Sequence, residues 1–467
     1  MKDTIKITLR QRITLILLLG AQFMLSADFS ILNVALPEIG SNLGFSLANL
    51  QWVATAFSLA AAGLTLLFGR IADLLGRRKL FIAGIIMLGV GSLIGGAATS
   101  PLELIVGRTL QGVATAMVTP AALALLTTSF KEGPLRDKAL SLNGVILSAG
   151  FTVGSVLGGV LTSVLDWRWA FFINVPVAIA VAILTPAYIK ESKGGEAKHL
   201  DITGALTVTF GLGALIYGVS ALGESGFEHA TTWMSLIAAF VLLGLFSSIE
   251  YRGKHPLLPI KVLRMPTVRW GNIGGFMVFA METAIVYLVT LYLQKVLHLS
   301  PAITGLAFGL LGTAAFVVGM KAAPVIERFG NRRVLAYGLV GQGITAITLA
   351  MCGTDPGWLW FVLAVTLVNG AVHILALVAF MITATSGLSN KDEGAASSIV
   401  SMTQLSSISL GIPLMSAVLT ALMHVFASVG DDGFLPAFSL TLVVDGALTI
   451  IVALLIAWRL GRAPGQR

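Results

Sequence analysis

Long apolar runs follow one another along the chain, broken only where charges, Gly/Pro pairs or polar clusters intervene. Fourteen runs result, with cores near 13–36, 50–69, 80–98, 102–128, 139–164, 169–188, 202–222, 232–250, 270–294, 302–325, 334–352, 357–386, 395–425 and 437–458. As helices, such runs match the ~20 residues needed to cross about 30 Å of hydrocarbon. A backbone in lipid must satisfy its own hydrogen bonds, so this serpentine predicts an all-α polytopic membrane protein with fourteen transmembrane helices. The first run follows Lys2, Lys6, Arg10 and Arg12 but continues past signal-peptide length to Pro37 without a small-residue cleavage site, so a retained helix is expected.

Composition narrows the class further. Hydrophobic residues make up 56% of the 467 positions and charged residues 11%, less than half the roughly 25% of soluble domains, and so few charges cannot cover a soluble surface. The single cysteine, Cys352, excludes an intrachain disulfide and a cysteine zinc cluster. The net charge of +8 is scattered through short loops, which argues against a nucleic-acid partner. With an inside N terminus, 27 of the 30 Lys and Arg fall on cytoplasmic segments, the asymmetry that orients membrane proteins. Of the others, Arg168 and Lys295 lie at outer loops and Arg108 lies inside the fourth run. The expected location is the cytoplasmic (inner) membrane, with multiple passes and both termini cytoplasmic.

The chain repeats itself. Ala72-Asp73-Leu74-Leu75-Gly76-Arg77-Arg78-Lys79-Leu80 returns as Ile326-Glu327-Arg328-Phe329-Gly330-Asn331-Arg332-Arg333-Val334, at an offset of 254 residues that also matches Gly84 to Gly338. The two loops are eight runs apart, which describes two six-helix bundles, 1–200 and 253–467, with an inserted helix pair at 201–252. Repeated halves that rock about a midplane site are the architecture of secondary transporters.

The loop Gly69-Arg70-Ile71-Ala72-Asp73-Leu74-Leu75-Gly76-Arg77-Arg78-Lys79 resembles the signature of the major facilitator superfamily. Fourteen runs, together with Asp28-Phe29-Ser30-Ile31-Leu32-Asn33-Val34-Ala35-Leu36-Pro37, Arg108-Thr109-Leu110-Gln111-Gly112 and a glycine-rich fifth run, resemble its fourteen-helix drug:proton antiporter branch over nearly the whole chain. The resemblance implies a major facilitator fold and a proton-coupled antiporter exporting lipophilic, cationic drugs or toxic compounds. It implies small-molecule substrates, protons and membrane lipids as partners, a functional monomer, and the proton gradient in place of a cofactor. It also implies a leak-blocking glycine motif of Gly150, Gly154, Ser155, Gly158 and Gly159, in which Ser155 stands where the antiporter signature has proline. The alternative is a proton-coupled transporter of one dedicated metabolite. An enzyme is not expected: the sequence has neither a catalytic triad nor a phosphate-binding loop.

Ionisable groups at bilayer depth are costly and therefore functional candidates. Five qualify: Asp28, Arg108, Glu282, His373 and Asp445. In the resembled fold the first helix of each three-helix unit lines a central cavity, and Asp28, Arg108, Glu282 and His373 fall on such helices. Asp28 and Glu282 are separated by the repeat offset of 254. A carboxyl in low dielectric loads or releases a proton on a small change of surroundings, and it also attracts a cation, so proton and substrate compete. Asp28, Arg108 and Glu282 are therefore the proton-coupling candidates; the alternative for each acid is a structural partner. Arg108 would act as a fixed charge or snorkel outward. Candidate cavity residues are Phe29, Asn33, Phe279, Asn369 and His373, the last equally suited to a helix-to-helix hydrogen bond. On the first helix, Asp28 is on a different face from Gln22, Ser26 and Asn33, and Asp28 is expected to face the cavity. Gly69, Asp73, Gly76, Arg77 and Arg78 form a candidate gating loop in which Asp73 caps a helix of the opposite half. Asp445, on a helix expected at the periphery, is accounted for only by a local hydrogen bond to a neighbouring helix.

Overall fold

The computed structural model describes residues 7–130, 134–193, 202–252, 260–386, 393–426 and 433–460. Its main helices are α1 (Leu9–Leu43), α2 (Trp52–Leu75), α3 (Arg77–Ala97), α4 (Pro101–Ser129), α5 (Pro134–Val164), α6 (Asn174–Tyr188), α7 (Ile202–Ser225), α8 (Ala230–Arg252), α9 (Pro266–Leu291), α10 (Pro301–Gly319), α11 (Asn331–Leu349), α12 (Trp358–Ala384), α13 (Glu393–Phe426) and α14 (Phe434–Leu460). Among the described residues there is no strand. Ten helices are long and apolar enough to cross a membrane, and shorter apolar stretches lie in α2, α5 and α7. The remaining main helix, α11, falls short because Arg332 and Arg333 open it and Gln342 sits mid-helix.

Helix ends follow local chemistry. Thr8 caps α1 by accepting from the Gln11 backbone N–H, and the Gln11 side chain accepts from the Thr8 N–H in return, which satisfies two donors that a helix start leaves open. The helix then passes through Pro37, beyond the expected end of its run, and stops at Gly44 with φ 71°. Ser100 caps α4, where Glu103 reaches back to the Thr99 N–H at 2.7 Å.

The chain divides into two compact units, Met1–Gly44 with Trp52–Thr209, and Phe45–Gln51 with Phe210–Arg467. The expected boundary positions 200, 201 and 253 lie outside the described residues. In the first unit α1 packs on α5, α2 on α4, and α3 on both α4 and α6. In the second, α9 packs on α13, α10 on α12, and α11 on both α12 and α14. These are the same pairings, helix for helix. The α7–α8 pair belongs to neither set and closes on itself where Gly211 and Gly218 meet Leu243 and Leu236.

One close crossing recurs in both units and fixes their alignment. A Cβ on Gly112 of α4 would run into the Phe57 carbonyl of α2, and a Cβ on Gly370 of α12 would run into the Leu311 carbonyl of α10. Phe57 and Leu311 are 254 apart, whereas Gly112 and Gly370 are 258 apart, so the second unit carries four more residues between the two crossing points. Backbone cannot move aside as a flexible side chain can. Gly112→Ala and Gly370→Ala are each expected to destabilise their unit by about 1–3 kcal/mol, read by chemical unfolding of the purified protein in detergent; unchanged stability in either would show that this crossing does not need a bare backbone.

Candidate functional site

In the first unit Asp28 is wholly buried and forms the centre of a polar cage. Its Oδ2 accepts from Arg108 Nη1 at 2.8 Å; its Oδ1 accepts from Gln111 Nε2 at 2.8 Å and from Asn174 Nδ2. Ser92 Oγ accepts from the same two amides at 2.9 and 3.3 Å. The arginine is held just as completely, with Nε donating to the Val53 carbonyl at 2.9 Å and Nη1 to Gln111 Oε1 at 2.7 Å, while the guanidinium lies 4.3 Å from the Phe57 ring centroid. Five helices, α1, α2, α3, α4 and α6, thus meet at one ion pair whose side chains are 0 and 1% exposed. Arg108 does not snorkel. Asp28 is sealed inside its own unit and does not line an open cavity in this conformation.

The second unit builds a related cage with different charges. Glu282 of α9 accepts from Asn369 Nδ2 at 3.0 and 2.8 Å and from Gln342 Nε2 at 3.1 Å. Thr345 Oγ1 donates to Asn369 Oδ1 at 2.8 Å and so orients that amide. His373 Nδ1 lies 3.6 Å from Glu282 Oε2, beyond a hydrogen bond, so the two attract only if the imidazole is protonated. The Gly112–Gly370 alignment equates Gln111 with Asn369, each an amide donating to its acid, and equates Arg108 with Thr366. The second acid therefore keeps the amide and lacks the arginine. His373 and Glu282 side chains retain 12 and 9% exposure, whereas the first pair is closed.

The remaining candidates scatter around these cages. Phe29 packs on Phe57 with centroids 6.0 Å apart, and Asn33 is buried on α1. Phe279 meets His373 and Phe380 edge-on at 6.2 and 6.3 Å. Gly150, Gly154 and Gly158 bring α5 against α1, where added Cβ atoms would strike the backbones of Phe23, Ala27 and Ile31. Ser155 donates to the Phe151 carbonyl at 3.0 Å, Gly159 is buried beside it, and α5 runs unbroken where proline would have removed a backbone donor.

The described contacts of the candidate loop lie within the first unit. Gly69 sits beside Pro120. Gly76 takes φ 118° and Gly330 takes φ 82° at the matching turn, conformations open to glycine and strained for other residues. The Asp73 side chain lies outside the described residues; the carboxylate that caps α3 is Glu191, whose oxygens accept from the Arg78 and Lys79 N–H groups at 2.9 and 3.2 Å. The Arg77 N–H donates to the Ser192 carbonyl at 2.9 Å. Arg78 Nη1 donates to the Ile189 carbonyl at 3.1 Å just past α6, and Arg332, its repeat partner, donates to the Leu460 carbonyl at 3.0 Å, where α14 ends. In both units this arginine ties the end of the sixth helix to the start of the third, a favourable place for a cation.

Sequence reasoning missed Ser92, Gln111, Asn174, Gln342, Thr345 and Glu191. Gln111 was inside the quoted motif, and a polar amide in an apolar run was the available signal for Gln342.

The sequence matches the family model of the Major Facilitator Superfamily over residues 18–411 and again over 271–467. This chain belongs to the major facilitator superfamily. Among its relatives, the cephamycin export protein CmcT of Amycolatopsis lactamdurans is 34% identical over 86% of this chain and 84% of its own. The puromycin resistance protein pur8 of Streptomyces alboniger is 34% identical over 94% and 87%. A crystal structure of the peptide transporter POT in complex with sulfate superposes with a TM-score of 0.72 over 96% of this chain and 94% of its own, at 14% identity, which shows a shared fold. The chain is therefore a multi-pass membrane transporter acting on small molecules.

In this facilitator the Asp28–Arg108 pair is testable as a unit, because removing one partner strands a buried charge and removing both does not. Arg108→Leu is expected to cost about 3–5 kcal/mol of stability, and the double variant Asp28→Leu/Arg108→Leu much less. Unfolding curves for the wild type, both single variants and the double variant provide the cycle; purely additive losses would show that the two side chains are not coupled.

Proposed function

We propose that this protein is a proton-coupled antiporter exporting lipophilic, cationic drugs across the cytoplasmic membrane. In this reading it has fourteen spans arranged as two six-helix bundles, 1–200 and 253–467, joined by the pair 201–252, with both termini inside, and it works as a monomer among membrane lipids. The relatives' names, cephamycin export, puromycin resistance and lincomycin resistance, support outward drug transport. The observation that carries the proposal is the pair of repeat-matched acids, Asp28 and Glu282, each caged by amides and only one neutralised by arginine.

The difference divides the labour. A proton arriving on Asp28 removes its charge and releases Arg108, loosening the joint that holds α1, α3, α4 and α6 together. The proton gradient thereby acts on helix packing. Glu282 has no fixed cation beside it and keeps some exposure, so a cationic substrate supplies the missing positive charge, with Phe279 and His373 forming the adjacent wall. Asn33, Phe29 and Asn369 complete the proposed cavity set, and Gly69, Asp73, Gly76, Arg77 and Arg78 the gating loop.

A narrower substrate range is the second reading, since the relatives are named for single antibiotics. A panel of drugs separates the two.

In everted vesicles carrying a pH gradient, Asp28→Asn is expected to abolish substrate-induced proton release for every compound, because an amide of similar size exchanges no proton. Glu282→Gln is expected to reduce export of tetraphenylphosphonium at least tenfold, a loss of about 1.4 kcal/mol, while sparing a neutral drug of similar size. Wild-type proton release from Asp28→Asn would overturn the coupling role, and equal losses for both compounds would overturn the division of labour.

A further inference from the structure

Asp445 of α14 carries a buried carboxylate for which the cages above have no use. It is 0% exposed, and neither oxygen has a hydrogen-bond partner among the described residues. An ionised carboxylate left so is among the costliest groups a fold can bury. Its backbone is tightly placed: Gly446, the next residue, lies against Gly343, the residue after Gln342, with so little space that a Cβ on either would strike the other's carbonyl. Asp445 is thus brought beside the helix that donates to Glu282, and the charge of Glu282 acts on it.

The surroundings offer no fixed counter-charge. Titratable groups among the described residues on the elements packed against α14 are Arg269 at the start of α9, about 20 Å along that helix from Glu282 at 1.5 Å per residue, Glu282 and Tyr287 further along α9, Tyr292 and Lys295 from the turn after it, Arg332, Arg333 and Tyr337 from the first turns of α11, and His424 from the last turn of α13. Arg332 is tied to the Leu460 carbonyl, about 22 Å along α14 from Asp445 at 1.5 Å per residue. The Tyr292 hydroxyl donates to the Gly353 carbonyl and its ring stacks on Phe438, two turns away. Among the described residues Asp445 forms no ion pair, and Glu282, on the α9 helix that packs against α14, carries the same sign. Gln342 Oε1 is also buried without a donor among the described residues.

We propose that Asp445 and Glu282 together bind one proton, making the second unit a proton site in its own right beside the Asp28–Arg108 pair. The proton is taken from water on one side of the membrane, forms an O–H bond on one of the two carboxyls and leaves to water on the other side, with no other bond made or broken. Two acids sharing low-dielectric surroundings cannot both ionise without repulsion, so one holds the proton while the other keeps the Asn369 and Gln342 donors. A cationic substrate at Glu282 would replace that proton. This last step rests on the proposed antiport; the proton site itself does not.

Infrared spectroscopy of the purified protein tests the site without transport, because a protonated carboxyl has a C=O stretch separate from carboxylate bands. At neutral pH the wild type is expected to show this band, Asp28→Asn to keep it, Asp445→Asn to lose it and Asp445→Glu to restore it. Absence of the band in the wild type would overturn the proposal whatever the variants do, as would its survival in folded Asp445→Asn. Loss of the band on adding sodium at constant pH would show a metal-cation site in place of a proton site. Failure of the vesicle experiment above with these bands intact would remove antiport and leave the proton site standing.

Discussion

A charge withdrawn from water has to be matched where it lies, and in the first unit the match is Arg108 against Asp28. The constraint reaches far beyond two side chains. Holding a guanidinium and a carboxylate at 2.8 Å in this cage uses Gln111 one turn along α4, Ser92 on α3, Asn174 on α6 and the Val53 carbonyl on α2. Those demands fix the rotation of five helices about their own axes. The small residues around them, Gly112 against Phe57 and the α5 glycines against α1, are what let the helices come close enough for the cage to close.

The second unit shows what the same scaffold does when the arginine is taken out. Helix pairings, the glycine crossing, the left-handed turn at Gly330 and the arginine clamp at Arg332 all persist. What changes is the electrostatic solution: Thr366 stands at the position of Arg108, and amides and a histidine surround Glu282. One unit is sealed by a fixed cation, and the other leaves its acid without one.

Much of this was legible in the residues. Helix positions follow from apolar run length, and the equivalence of Asp28 and Glu282 follows from the loop repeat, because insertions between the two loops and the two acids happen to be balanced. The cages were less legible for a physical reason. The hydrogen bonds that the two acids accept join residues separated by 60 to 146 positions, and whether such residues meet depends on helix rotation and crossing, neither of which a spacing along one helix encodes. Asn174 shows this: it sits a few residues beyond Trp167 and Arg168 near a loop, and only the packing of α6 on α3 turns it inward. Asp73 and Glu191 show the converse, since a motif draws attention to its own acid while the helix start it contains is capped by an acid 113 residues from Arg78.

The composition of α11 carries a consequence for how such a chain is made. With two arginines at its head and Gln342 at its middle, it is the main helix whose residues argue least for leaving water. In the fourteen-span arrangement it has to enter the bilayer alongside α10 or α12, whose long apolar faces can accompany it through the insertion machinery. The amide that serves Glu282 thus lowers the hydropathy of its own helix and makes that helix dependent on its neighbours for a place in the bilayer.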